Sequence, residues 1–111
     1  IEGDAPFEAY VAWLRDRHAA DVCAAGADEA EIVVVDPPAA GPPAARVVRV
    51  RYRFASRDAF GAYERDHAAR LRAEGIAELA RHGLASGRGA TFTRSTGEIA
   101  GEPRARSTSL R

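Results

Sequence analysis

The clearest structural signal in this chain is the segment RVVRVRYRF at residues 46–54. Apolar side chains and arginines alternate along it, which is the period of two expected of a strand with one buried face. One side carries Val48, Val50, Tyr52 and Phe54, and the other carries Arg49, Arg51 and Arg53. We therefore predict a strand whose apolar side packs on a core and whose arginine side faces away from it.

The residues before this segment predict the strand that pairs with it. AEIVVVD at residues 30–36 is a β-branched run, which is typical of a strand. PPAAGPPAA at residues 37–45 cannot form a helix or an interior strand, so we predict a loop there. A loop that joins two neighbouring strands favours an antiparallel pair.

An amphipathic helix is predicted on the N-terminal side, over residues 4–25. Asp4 is expected as its N-cap, Pro6 suits the first turn, and Gly26 supplies a left-handed stop. Apolar side chains recur at intervals of three and four, as one buried face requires. They are Phe7, Val11, Leu14, His18 and Val22, with Tyr10 and Trp13 on one flank.

A second helix is predicted after the arginine-bearing strand, from a cap at Ser56 to Glu74, with Gly75 ending it. Its apolar stripe consists of Phe60, Tyr63, His67 and Leu71. A short helix at residues 76–82 and a glycine-containing strand at residues 84–95 are predicted to follow. Residues 96–111 have the composition of a flexible tail.

This order of elements predicts one α+β domain at residues 1–95. With a strand before the first helix it becomes the ferredoxin-like βαββαβ arrangement, in which two helices pack on one face of an antiparallel sheet. Residues 1–3 leave room only for a truncated first strand. Because a small sheet with an open face tends to find a partner, we also expect a homodimer.

Composition excludes several classes of protein. The 111 residues carry 16 basic and 16 acidic side chains, and this balance disfavours binding to nucleic acid. No apolar run approaches the roughly 20 residues of a membrane span, so no membrane contact is expected. The single cysteine, Cys23, permits neither an internal disulfide nor a multi-cysteine metal site, and no metal site is predicted. These features fit a cytoplasmic protein.

Two segments, FEAYVAWLRDRHAADV at residues 7–22 and YRFASRDAFGAYERDHAARLRAEG at residues 52–75, carry a resemblance to a known family. The matching residues are Trp13, Leu14, Arg15, His18, Tyr52, Arg53, Phe54, Ser56, Arg57, Tyr63, His67, Arg70, Leu71, Glu74 and Gly75. The chain resembles a small bacterial family of unknown function in the dimeric α/β-barrel group of ferredoxin-like folds. The resemblance implies that architecture and a dimer, and it implies no reaction.

The histidines and aromatic residues are the candidate catalytic groups. His18 and His67 occupy similar places on the two predicted helices, so they could form a proton-transfer pair or supply two nitrogen ligands to a metal or haem. A ligand cleft between sheet and helices could be lined by Trp13, Tyr10 and Tyr63. The alternative is that both histidines tie helix to sheet and that the aromatic residues belong to the core. The second candidate is a ligand-binding site for an anion, formed by Arg49, Arg51 and Arg53. Its alternative is a strip paired with acids of the neighbouring strand, such as Glu31.

These observations leave three hypotheses for function. The first is a structural or small-ligand-binding dimer without established catalysis. The second is a cofactor-independent monooxygenase-like or haem-handling enzyme that uses a helix–sheet cleft with His67, His18 and Trp13. The third is binding of an anionic metabolite by the arginine strand. The residues name no substrate, cofactor or pathway, and they leave open whether the chain is an enzyme.

Overall fold

The structure, a computed structural model, describes residues 1–41 and 45–101. It is an α+β arrangement of helices around a small antiparallel sheet. The helical elements are α1 (Asp4–Trp13), a π-helical segment (Leu14–His18), α2 (Ala19–Ala24), α3 (Arg57–Asp66) and α4 (Ala68–Arg81). The strands are β1 (Glu29–Val34), β2 (Val48–Arg53), β3 (Ala85–Ser86) and β4 (Gly89–Ala90).

The two central strands form the predicted antiparallel pair. β1 and β2 run in register from Glu29 opposite Arg53 to Val34 opposite Val48. Val48, Val50 and Tyr52 are half-buried, whereas Arg49 and Arg51 are exposed, so the period of two assigns the faces as predicted. Residues 42–44 of the predicted loop lie outside the described residues.

The first helical segment (α1, the π-helical segment and α2) and the second (α3 and α4) pack against the same face of this strand pair. One part of the core joins Tyr10 and Leu14 of the first helical segment to Leu79 of α4, with Ile32, Val48 and Val50 of the sheet packed against them. The other joins Val22 and Leu71, with Tyr52, Phe54 and Tyr63 packed against them. Phe7, Val22, Leu71 and Leu79 are the largest fully buried side chains. The predicted burial of one helix face on one sheet face is therefore confirmed.

Helix ends were predicted less well than helix positions. Gly26, with φ of 134°, ends the first helical segment, and Ser56 Oγ accepts a hydrogen bond from the Ala59 N–H at 3.0 Å. Asp4, by contrast, is the first helical residue, and Gly3 occupies the N-cap. Gly75 was predicted as a helix end and instead lies buried inside α4. A Cβ on Gly75 would come within 3.3 Å of Tyr10 Oη, so this glycine permits close helix packing.

The prediction of a strand over residues 84–95 was wrong. The chain forms only the two-residue strands β3 and β4, which pair with each other, and residues 91–101 have no regular structure. Gly87 and Gly89 have φ of 79° and 85°, conformations that turn the chain within the expected strand. A Cβ on Gly89 would lie 2.5 Å from Leu84 Cδ2, so the leucine side chain would have to move, and the positive φ strains any residue other than glycine there.

The N-terminal residues lie between β2 and β4. The Ile1 amino group donates to Arg46 O at 2.7 Å, and the Arg46 N–H donates back to Ile1 O at 2.9 Å. The Glu2 N–H donates to Gly89 O at 2.8 Å. Residues 96–101 of the predicted tail are exposed coil, where Glu98 contacts Arg57 at 3.8 Å, and residues 102–111 lie outside the described residues.

Candidate functional site

The π-helical segment creates the most distinctive side-chain arrangement in the described structure. Within it the Ala19 N–H bonds to Leu14 O, five residues back, instead of four. In an α-helix, residues five apart point about 140° away from each other. The wider π turn brings such residues to the same side, and the rings of Trp13 and His18 stack at 4.7 Å between centroids with a 25° interplanar angle.

His18 carries an unsatisfied buried nitrogen in this stack. Its Nδ1 is buried and has no hydrogen-bond partner among the described residues. The ring also meets the Tyr52 ring edge-on, with 6.4 Å between centroids, so the partly buried histidine has two aromatic neighbours. Burial lowers the pKa of His18, against smaller opposing effects of the Glu74 and Asp21 carboxylates. The neutral imidazole can therefore offer one donor and one acceptor to a small molecule.

The tyrosines around this stack are held in their neutral form. Burial raises the pKa of Tyr52, and burial together with the charge of Glu78 raises the pKa of Tyr10. The Tyr10 ring lies 5.5 Å from the Trp13 ring. The stack therefore sits on neutral phenols, which can donate hydrogen bonds but do not supply a phenolate base.

An open groove borders Trp13 on the side of α4. Its volume is about 330 Å³. The lining residues are Trp13, Arg17 and Asp21 from the first helical segment and Glu74, Ala77, Glu78 and Arg81 from α4. Glu78 is buried and is held by Arg81 at 3.4 Å, with His82 at 3.9 Å. Arg17 and Asp21 form no ion pair with any described residue. The groove thus combines an indole wall with charges of both signs.

The structure does not bring His18 and His67 together as one site. His67 lies at the break between α3 and α4, where its φ is −133°, and its Nδ1 lies 3.0 Å from Arg70 Nη2. It borders a separate, smaller groove of about 240 Å³ with Asp21, Ala24, Ala25 and Arg70. No hydrogen bond joins the two histidines. Tyr63 belongs to the second part of the core, with its ring 5.0 Å from the Phe54 ring.

The arginine strip on β2 is compensated by acids on β1. Arg51 contacts Glu31 at 3.1 Å, and Arg53 contacts Glu29 at 3.6 Å. These are directly opposed cross-strand pairs, which is the alternative to anion binding that the alternation left open. Arg49 lies opposite Val33, and its exposed side chain contacts no acid among the described residues.

No group of three or more histidine, cysteine, aspartate or glutamate side chains within residues 1–41 and 45–101 is arranged to hold a metal ion. None of the helices in those two ranges is long and apolar enough to cross a membrane. Comparisons with protein-family models, with curated proteins and with solved structures find no significant match to this chain.

What the sequence alone did not reveal is the pairing of Trp13 with His18. Both residues were candidates, but a period of 3.6 places His18 above Leu14 and not beside Trp13. The five-residue spacing of the two rings was visible in the sequence. It would have indicated a stack only if the π turn had been known.

Proposed function

We propose that this chain is a small-ligand-binding domain whose ligand lies in the groove beside Trp13. The observation that carries the proposal is the indole of Trp13 in the groove wall, which stacks on His18, a residue behind it with a buried nitrogen that no described residue satisfies. Buried polar groups in native proteins almost always have a partner, and an orphaned one invites a ligand or a water molecule. Pockets of about 300–1,000 Å³ with a few convergent polar groups are typical of ligand sites.

The groove's charges favour a small zwitterionic ligand. Arg17 and Asp21 stand one turn apart on the first helical segment without ion-pair partners in the described structure, and both line the groove. A molecule with one cationic and one anionic group would satisfy both, while its apolar part packs on Trp13 and Ala77. Catalysis is not part of this proposal, because the two histidines of the predicted pair do not share a groove: His67 lines the smaller groove, and His18 lines neither of the two.

Fluorescence of the chain's only tryptophan tests the groove directly. The chain is titrated with a panel of small zwitterions, cations and anions. We expect some of the zwitterions to change the Trp13 emission, and the change to saturate with ligand concentration. Ala77→Phe fills the groove and should weaken that binding at least about ten-fold, because the ligand's apolar part loses its contact surface. Ala73→Phe is the matched control, since Ala73 is an exposed residue of the same helix that does not line the groove. A panel without response, or equal effects of both substitutions, would contradict the proposal.

The same proposal assigns the chain to a ferredoxin-like architecture. In a βαββαβ sheet the order of neighbours is fourth, first, third, second strand. Here Glu2 is bonded to β4, and Ile1 is bonded to Arg46, which lies just before β2. β2 in turn pairs with β1. This order of neighbours supports the ferredoxin-like arrangement, with Ile1 and Glu2 in the position of its first strand. The resemblance to the dimeric α/β-barrel family supports it as well.

A homodimer is the third part of the proposal. The outer face of β1 and β2 carries acids on one strand and arginines on the other, and Val33 and Val47 are exposed near one end. A two-fold axis through this face would place the acidic strand of each protomer against the basic strand of its partner. Isologous contacts of this kind are self-complementary, which is what a symmetric dimer requires.

A further inference from the structure

The two grooves beside α4 adjoin each other. Asp21 lines both of them. On α4, Glu74 lines the larger groove and Arg70 lines the smaller one, and Arg70 Nη1 lies 3.7 Å from Glu74 Oε1. The grooves therefore meet at these three side chains and form one furrow, which runs between the first helical segment and α4.

The lining residues give the furrow its direction and length. On the first helical segment they run from residue 17 to residue 25, and on the other side they run back from residue 81 to residue 67. Eight residues of a helix rise about 12 Å, so the furrow is about 12 Å long. A ligand of that length can contact both grooves at once.

The furrow is basic at the end beside Trp13 and acidic in its middle. Arg17 lies at the Trp13 end and forms no ion pair with a described residue. Asp21 and Glu74 follow from the two sides. Both carboxylates act on the pKa of His18, where they oppose the effect of burial, so the two negative charges lie near the same ring.

The other end of the furrow offers donors again. Arg70 Nη2 donates to His67 Nδ1 at 3.0 Å, because a guanidinium has no acceptor, and the neutral His67 ring therefore carries its proton on Nε2. The 3.7 Å contact of Arg70 with Glu74 is longer than a hydrogen bond. Arg70 and His67 can thus donate to an anion, while Glu74 keeps lone pairs for a cation.

We propose that the furrow binds a linear amino dicarboxylate, whose cationic nitrogen lies between two carboxylates. This inference rests on the proposed function and adds a second anionic group to the zwitterion. One carboxylate binds Arg17, and the nitrogen lies between Asp21 and Glu74. The second carboxylate accepts hydrogen bonds from Arg70 and His67. Charge-assisted contacts of this kind are stronger and more directional than neutral ones.

Three small molecules that differ by one group test this on the whole chain through Trp13 fluorescence. Iminodibutyrate has a secondary amine between two butyrate arms, and its carboxyl carbons stand about 10 Å apart when it is extended. γ-Aminobutyrate is its zwitterionic half, and azelate is the dicarboxylate of equal chain length without the nitrogen. Iminodibutyrate should bind about five-fold more tightly than γ-aminobutyrate, which corresponds to one exposed ion pair, and should exceed azelate by a similar factor.

Two arginine variants locate the second carboxylate. Arg70→Ala should remove the preference for iminodibutyrate over γ-aminobutyrate, because the second carboxylate loses its cation. Arg72→Ala is the matched control and should keep the preference, since Arg72 is an exposed arginine of the same helix that contacts Glu64 and lines neither groove. The ratio of the two affinities is compared within each protein, which removes general effects of a substitution on folding.

The outcomes separate this inference from the proposed function. Iminodibutyrate that binds no more tightly than γ-aminobutyrate or azelate would overturn the inference and leave the zwitterion site standing. A preference that survives in Arg70→Ala, or that both variants lose equally, would do the same. If neither amine changes the Trp13 emission and the wider panel is silent too, the proposed function and this inference are both refuted.

Discussion

At the scale of single residues, His18 is a partly buried group whose titration depends on its surroundings. Its imidazole lies between Trp13 and Tyr52, and burial lowers its pKa from the ordinary value of 6.5. The unfolded chain therefore takes up a proton at a higher pH than the folded chain does. By linkage, the stability that His18 contributes is complete above about pH 6.5 and is lost as the pH falls towards the folded pKa.

We predict that His18→Asn flattens this acid-side loss of stability. Asparagine keeps a donor and an acceptor near the position of Nδ1 but does not titrate in this range. The measurement is the free energy of unfolding by denaturant from pH 8 to pH 5, with each protein referred to its own value at pH 8. Parallel curves for wild type and variant would show that His18 does not cause the dependence. An NMR titration of the His18 ring gives the folded pKa independently.

At the scale of elements, the two helical glycines test why α4 continues through Gly75. A Cβ at Gly61 in α3 would meet only the flexible end of Arg65, at 3.5 Å, whereas one at Gly75 would meet Tyr10 Oη at 3.3 Å and Trp13 at 3.9 Å. Gly61→Ala should therefore gain up to about 1 kcal/mol of stability from helix propensity. Gly75→Ala should gain less, and Gly75→Val should lose about 1–3 kcal/mol by overpacking.

Chemical denaturation of the three glycine variants provides the comparison, with the denaturant slope checked for a common two-state transition. Equal gains at both positions would mean that Tyr10 moves aside freely. In that case the glycine at position 75 would have no packing role. A larger loss at position 61 than at position 75 would contradict the assignment of the close contact to the α1–α4 packing.

The elements also show where sequence-based prediction succeeds. β1, β2 and the Ser56 cap were predictable, because alternation and capping depend on neighbours within a few residues. Gly75 was misassigned because a glycine that ends a helix and one that admits a neighbouring helix look the same in a sequence. Only the contact with Tyr10 separates them. The Trp13–His18 stack was likewise out of reach, because it depends on a π turn that the 3.6 period does not anticipate.

At the scale of the whole molecule, the proposed dimer depends on the outer face of β1 and β2. That face is half charged and half apolar: Glu31 and Arg51 lie opposite each other, while Val33 is 43% exposed and Val47 is 46% exposed. Exposed valines scattered singly need no explanation. Val33 and Val47, however, lie beside the exposed Arg49 on one face. The neighbouring acidic and basic side chains of that face could pair with those of a second copy and so align the valines of the two protomers.

We predict that wild type has twice the 11.8 kDa mass of one chain in light scattering at micromolar concentration, and that Val33→Lys has the mass of one chain. The lysine adds a cation to a face that already carries three arginines, and it removes an apolar contact, so both effects oppose association. Ile76→Lys is the matched control, since Ile76 is an exposed apolar residue of α4, 55% accessible and distant in the fold from the sheet's outer face. Raised salt should also weaken the dimer, because it screens the charges between the two faces. A wild type that stays monomeric, or equal masses for the two lysine variants, would rule out this interface.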